Sequence, residues 1–207
     1  MSRSADLVIL VADRNMEATL KGLLDRPHKL SCRAIRWKPF VHPHHDPGCF
    51  KRGHDFLRPM SKDYDHALIL FDREGSGQED RPAEELEKTV EGHLARSGWE
   101  GRARTIVIQP ELEAWVWAGS KDVCRCLGWS SDYPELRIWI EEQGLWRKED
   151  SKPNDPKKAV ELALRKVSKP RSSSIYEKLA RQIAFERCTD PAFLKLKLLL
   201  QEWFPRT

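Results

Sequence analysis

Two short apolar runs, Leu7-Val8-Ile9-Leu10-Val11-Ala12-Asp13 and His66-Ala67-Leu68-Ile69-Leu70-Phe71-Asp72, each end in an aspartate. Runs this short, apolar throughout and without polar alternation, suit strands buried on both faces, the kind found in parallel sheets covered by helices. A third run, Thr105 to Ile108, follows Arg104 and stops before Pro110. Between the runs, Met16, Leu20, Leu23 and Leu24 have helical spacing, and Pro82 opens a second helical pattern through Leu86, Val90 and Leu94 to about Ser97. Leu30 to Trp37 reads as a further strand, residues 41–48 as a Pro- and Gly-broken loop, and Phe50 to Met60 as a short helix that Pro59 stops. Strands that alternate with helices predict an α/β fold, an open, mostly parallel sheet with flanking helices. In such sheets ligands bind beyond the carboxyl ends of the strands. Asp13, Asp72 and the Glu111/Glu113 pair would share that edge.

No strand pattern follows Glu113. Helices are expected at Glu113 to Ala118, Asp122 to Leu127, Pro134 to Gln143, Ser174 to Phe185 and Pro191 to Trp203. Another starts at Asp155-Pro156, a capping acid before a proline in the first turn, with Val160, Ala163, Leu164 and Val167 as its apolar face. The chain therefore divides into an α/β domain at 1–118 and an all-helical C-terminal domain at 119–207. The polar stretch 147–155 reads as a mobile loop.

The 207 residues carry a formal net charge of +4, which excludes a strongly cationic coat protein or an acidic tail. That sum hides a division, because residues 147–197 hold 14 Lys+Arg against 7 Asp+Glu, whereas residues 1–146 hold 21 against 24. An acidic sheet domain beside a basic helical one suits a metal site flanked by a phosphate-binding surface. Lys157, Lys158, Arg165 and Lys166 lie opposite the apolar stripe of their helix and are the nucleic-acid-binding candidates; the plain alternative is a solvated face. No apolar run reaches bilayer length, and the apolar stretch after Met1 stops at Asp13 without a cleavage site. A cytoplasmic protein with no membrane association is expected. The five cysteines form no tight framework and fit reduced thiols. Of the eight tryptophans seven lie from Trp99 onward, and the helical spacing around them favours core or partner contact over base stacking.

Each acid at a strand end has an ordinary structural use, as a helix cap, a turn residue or a first-turn charge. Several converging acids have another use. Hard cations such as Mg²⁺ bind through one or two carboxylates, keep several waters, and can sit beside a phosphate. The loop His42-Pro43-His44-His45-Asp46-Pro47-Gly48-Cys49 offers zinc-type ligands at His42, His44, His45 and Cys49 but lacks paired C-x-x-C spacing, so Zn²⁺ is not expected there. A histidine at the active edge could polarise a phosphate or shuttle a proton, and His45 with Asp46 are the candidates.

Three motifs carry a resemblance. Asp13-Arg14-Asn15-Met16-Glu17 follows the first strand, Asp72-Arg73-Glu74 the later one, and Glu113-Ala114-Trp115 opens the helical part. Together they resemble the Toprim superfamily, and more closely the small bacterial Toprim-like proteins of antiphage defence, similar to the overcoming-lysogenization-defect nucleases. Asp13 stands where that family has glutamate, and Arg14 where it has glycine. The likeness covers about residues 7–118, with a weaker echo at Asp155-Pro156-Lys157 and Tyr176-x-Lys178. The resemblance implies a Mg²⁺- or Mn²⁺-dependent nuclease within a multi-protein defence system. It implies Asp72 and Glu74 as metal ligands, Asp13 as general base or second-metal ligand, Glu113 completing the shell and Glu17 as a supporting acid. The alternative it leaves is a catalytically inactive subunit that binds proteins or nucleic acid.

Overall fold

The computed structural model describes residues 5–117, 122–182 and 188–206. Four strands, β1 (Ala5–Val11), β2 (Trp37–Val41), β3 (Tyr64–Asp72) and β4 (Ala103–Ile108), form one all-parallel open sheet in the order β2-β1-β3-β4. The central strands β1 and β3 pair Leu7 with His66 through to Val11 with Leu70. Leu7 to Val11 and Ala67 to Phe71 are fully buried, as strands covered on both faces require. Among the described residues, no helix is long and apolar enough to cross a membrane.

Two helices follow β1, α1 (Arg14–Leu24) and α2 (Pro27–Leu30), and α3 (His45–Leu57) leads from β2 to β3. A helix α4 (Ala83–Leu94) leads on to β4. The chain leaves β1 in one direction to β2 and then crosses back over β1 to β3. With right-handed crossovers this puts α1 on one face and α3 and α4 on the other, and makes the gap between the ends of β1 and β3 the topological switch point. Gly53 lets α3 approach the sheet: a Cβ there would lie 2.6 Å from Ile69 Cδ1 and 3.4 Å from Leu10 Cδ2, two residues paired across β1 and β3.

The second strand differs from the expectation at residues 30–37. Pro27 opens a helical turn that takes in Leu30, and the strand begins only at Trp37. It contains Pro39, which an edge strand tolerates because one side of its backbone has no partner. Residues 45–48 are likewise helix and not loop, since Asp46 and Pro47 occupy the first turn of α3, where a missing N–H costs no hydrogen bond.

Beyond β4 come a 3₁₀ turn at Leu112–Trp115 and α5 (Asp122–Leu127), α6 (Leu136–Glu142), α7 (Pro156–Lys166), α8 (Ser173–Gln182) and α9 (Pro191–Trp203). The expected domain boundary at 118/119, and the ends of the helices expected to stop at Ala118 and Phe185, lie outside the described residues. Asp155 caps α7 by accepting the Lys158 N–H at 2.9 Å. Helix α8 lies along α1, and α9 reaches β4, where Lys195 Nζ donates to Thr105 O at 2.9 Å and pairs with Glu87 at 2.7 Å. Trp115 donates its indole N–H to Asp190 at 3.0 Å and meets the Phe193 ring edge-on, while Trp117 donates to Pro156 O. Trp99, Trp115, Trp117 and Trp129 are buried, so these indoles are core residues. The stretch at 147–155 is anchored: Lys152 pairs with the buried Asp190 at 2.6 Å, and Asn154 N donates to Leu145 O at 2.8 Å.

Candidate active site

The carboxyl ends of β1 and β3 open into a cleft of about 270 Å³ at the switch point. Asp13, Asp46, Asp72, Glu74 and Glu113 line it, together with Lys157 and Arg171. Asp13 leaves β1 in extended conformation and caps α1, its Oδ1 accepting the Met16 N–H at 2.8 Å. One carboxylate thus serves both a helix end and the cleft. Asp72 ends β3, and the chain stays in the sheet one step further, because Arg73 N donates to Ile108 O at 2.9 Å and Glu74 N to Pro110 O at 3.0 Å. Gly75 then turns away at φ +83, a conformation that glycine adopts without strain. A Cβ at Gly75 would sit 3.8 Å from Asp46 Oδ2, so this turn also walls the cleft.

Asp46 comes from the first turn of α3 and accepts the Asp72 backbone N–H on Oδ1 at 2.8 Å. Burial raises its carboxyl above the ordinary value, the charge of Asp13 adds to this, and the Asp72 N–H opposes it. Asp72 is the most perturbed acid here. Burial, then the charges of Asp46, Glu113, Asp13 and Glu111, hold it well above the usual carboxylate range, and its Oδ1 is buried with no hydrogen-bond partner. A buried acceptor without a donor costs about 1–3 kcal/mol, more for a charged group. Like charges crowded at low dielectric favour uptake of a proton or a cation.

The opposite wall is built by the C-terminal helices. Glu113, buried in the 3₁₀ turn, accepts from the Tyr176 hydroxyl and from Arg171 Nη2 at 2.5 Å. Arg171 also donates through Nε to Tyr176 Oη at 2.8 Å and reaches Glu161 at 3.4 Å. Behind them Glu111 accepts the Lys157 backbone N–H at 3.1 Å and pairs with Lys157 Nζ at 3.5 Å. Burial alone would lower the Lys157 ammonium, but the charges of Glu111 and then Glu113 raise it overall. Burial opposes the charge of Tyr176 too, and with the adjacent Glu113 carboxylate it pushes this phenol upward, so Tyr176 is a donor throughout the ordinary pH range.

A comparison with protein-family models, curated proteins and solved structures gave no match. The chemistry of the site is therefore read from its own residues.

The cleft brings together Asp13, Asp46, Asp72, Glu74, Glu113 and Lys157 of the sequence candidates. Glu17 lies in the first turn of α1 but is not among the lining residues. His45 is exposed and outside the cleft; its Nδ1 lies 3.1 Å from Ala12 O, and its neighbour Asp46 points in instead. Arg14, beside Asp13 in the sequence, is exposed and lines no part of the cleft. Lys158, Arg165 and Lys166 are exposed on α7 away from it. His42 and Cys49 are buried and line no part of the cleft, with His42 Nδ1 accepting the His44 N–H at 3.1 Å. Arg171 and Tyr176 carry no strand-end or spacing signal that singles them out in the sequence.

Among the described residues no three His, Cys, Asp or Glu side chains form a ready-made metal shell. The donor set nonetheless fits a hard cation that keeps most of its water. Mg²⁺ uses one or two carboxylates, and the unpartnered Asp72 Oδ1 beside Asp46, Asp13 and Glu74 offers these. Glu113 fits that role less well, because Arg171 and Tyr176 already share its Oε1.

Proposed function

We propose that the chain is a Toprim-like, Mg²⁺- or Mn²⁺-dependent enzyme that cleaves phosphodiester bonds, a cytoplasmic nuclease working with other subunits of a bacterial antiphage defence system. The observation that carries the chemistry is the buried, unpartnered Oδ1 of Asp72 inside a cleft with Asp13, Asp46 and Glu74 on one wall and Lys157 and Arg171 on the other. The defence setting rests on the motif likeness at Asp13 to Glu17, Asp72 to Glu74 and Glu113 to Trp115.

In this reading Asp72, with Asp46, Asp13 and Glu74, holds the cation. The ion, when bound, supplies a Lewis acid for the phosphate oxygens. Asp46, bonded to the Asp72 N–H, keeps the strand end and the first turn of α3 in register. Lys157 and Arg171 face the same space with fixed positive charge, Arg171 oriented by Tyr176 and Glu113. Glu113 is thus a positioning residue more than a ligand, which revises the role the family resemblance implies.

A second reading, a catalytically inactive subunit, is favoured by one observation: Glu113 is engaged by two donors of its own chain. Plasmid and single-stranded DNA incubated with protein and Mg²⁺ or Mn²⁺ separate the two. Cleavage by the wild type that Asp72→Asn abolishes supports the enzyme. Cleavage that survives Asp72→Asn overturns the site, and no cleavage of any nucleic acid selects the inactive subunit.

A further inference from the structure

A second depression lies beside the cleft, at the end of the edge strand β2. It is shallow and open, and is lined by His42, Pro43, His44, Arg52, Asp55 and Phe56. Its floor is aromatic. The His42 ring lies 5.6 Å from Phe56 and 5.8 Å from His44, and Phe56 meets Phe40 edge-on at 5.7 Å. Lys38 Nζ sits over the Phe40 ring at 5.3 Å, and the exposed Arg52 stands on the rim. Asp55, the acid of this rim, pairs with His54 at 3.5 Å and Arg58 at 3.8 Å.

This aromatic floor and the cleft belong to one turn of chain. His42 and His44 form the hollow, Asp46 lines the cleft two residues later, and the His45 N–H donates to His42 O at 3.1 Å to close the turn between them. A ligand that placed a phosphate among the acids would find an aromatic surface with flanking cations next to it. Aromatic faces bordered by Lys and Arg take unpaired bases with little regard for sequence, whereas a duplex keeps its bases stacked inside.

We propose that this hollow is a base-stacking subsite for single-stranded nucleic acid, seating an unpaired base on His44 and Phe56 beside the phosphate held in the cleft. The inference rests on the phosphodiester reading above and narrows its substrate to single strands or unpaired ends. His44 is exposed, so its replacement spares the core.

The test is fluorescence anisotropy of the full chain in Ca²⁺, which fills carboxylate sites and supports binding to phosphate, with a labelled oligothymidylate of about 12 nucleotides and a duplex of the same length. The single strand is expected to bind more tightly than the duplex. His44→Ala should weaken the single strand by about tenfold and leave the duplex unchanged, and His44→Phe should restore the loss. Arg52→Ala should flatten the salt dependence of single-strand binding by about 0.7 in the log–log slope. Equal binding of wild type and His44→Ala, or equal losses on single strand and duplex, overturns the subsite. The phosphodiester reading fails separately, through DNA cleavage in Mg²⁺ that is absent or indifferent to Asp72→Asn. Anisotropy reads binding without turnover, so failure of the subsite and failure of the phosphodiester reading give different results.

Discussion

Asp46 accepts the backbone N–H of Asp72 at 2.8 Å, tying the first turn of α3 to the last residue of β3. The two carboxylates are thereby held together at the switch point, where burial raises both, the charge of Asp46 raises Asp72 further, and the Asp72 N–H eases Asp46 back down. Proximity of this kind costs folding energy while the cleft holds no cation.

That cost gives the first prediction. For an acid whose folded value is raised, stability falls as pH climbs from its unfolded value toward the folded one, because ionisation is harder in the native state. Asp72→Asn removes the charge and should raise the melting temperature at neutral pH in EDTA by about 2–4 °C, the shift that ~1 kcal/mol gives in a chain this size. Added Mg²⁺ should stabilise the wild type and much less the variant. Calorimetry with and without the ion measures both, and a less stable variant in EDTA would reject the crowded-acid account.

Tyr176, Arg171 and Glu113 form a closed triangle of hydrogen bonds. Tyr176→Phe leaves a buried carboxylate oxygen with one donor fewer and should cost about 1–3 kcal/mol. Arg171→Met and the double variant complete a cycle whose coupling is expected at about 0.5–3 kcal/mol. Denaturant titration of the four proteins reads it, and additive losses would mean that Tyr176 and Arg171 act independently.

Gly22 tests how the tail is seated on the sheet. A Cβ at this position would lie 2.5 Å from Glu177 O and 2.7 Å from Ala180 Cβ, so Gly22→Ala forces α8 off α1. Overpacking of this type costs about 1–3 kcal/mol. Because α8 carries Tyr176, hydrogen exchange should quicken in α8 while β1 and β3 stay protected. Unchanged protection throughout α8 would show that the helix tolerates the methyl.

Asp6 governs acid stability at the other end of the sheet. Burial would raise its carboxyl, but Arg33 and Arg36 outweigh that and hold it at about 2, against an ordinary 3.8. A depressed acid contributes above its unfolded value and loses the contribution as pH falls through the folded one, so the window here is about pH 4 to 2. Both arginines are partly solvated, which leaves about 1–2 kcal/mol. Asp6→Asn should be destabilised by that much at pH 6, and its difference from the wild type should vanish by about pH 2. Urea midpoints across that range provide the check.

The sheet was legible because β1 and β3 are buried on both faces, a demand that writes itself as uninterrupted apolar residues. The edge strand β2 was misplaced because only a half-buried strand is required there, so Pro39 and Lys38 are allowed and the pattern weakens. The acids at the ends of β1 and β3 followed directly from parallel topology. Asp46 was harder to read, since Pro47 and Gly48 suggest a loop by composition whereas the chain uses them inside a helix. Arg171 enters the cleft from nearly a hundred residues beyond Asp72 through the packing of α8 on α1, and no local pattern encodes that distance.

The two walls of the cleft also differ in when they come into being during synthesis. All of the carboxylates lie at or before Glu113, whereas Lys157, Arg171 and Tyr176 leave the ribosome later. Domains fold from the N-terminal side as they emerge, so the nascent sheet passes through a stage in which its acidic edge lacks Lys157 and Arg171 and its Glu113 has no donor from α8. A metal ion or chaperone meeting the chain at that stage would encounter a more open and more negative edge than the finished protein presents. The tail is thus the last part of the cleft to be made and the part that decides its final charge.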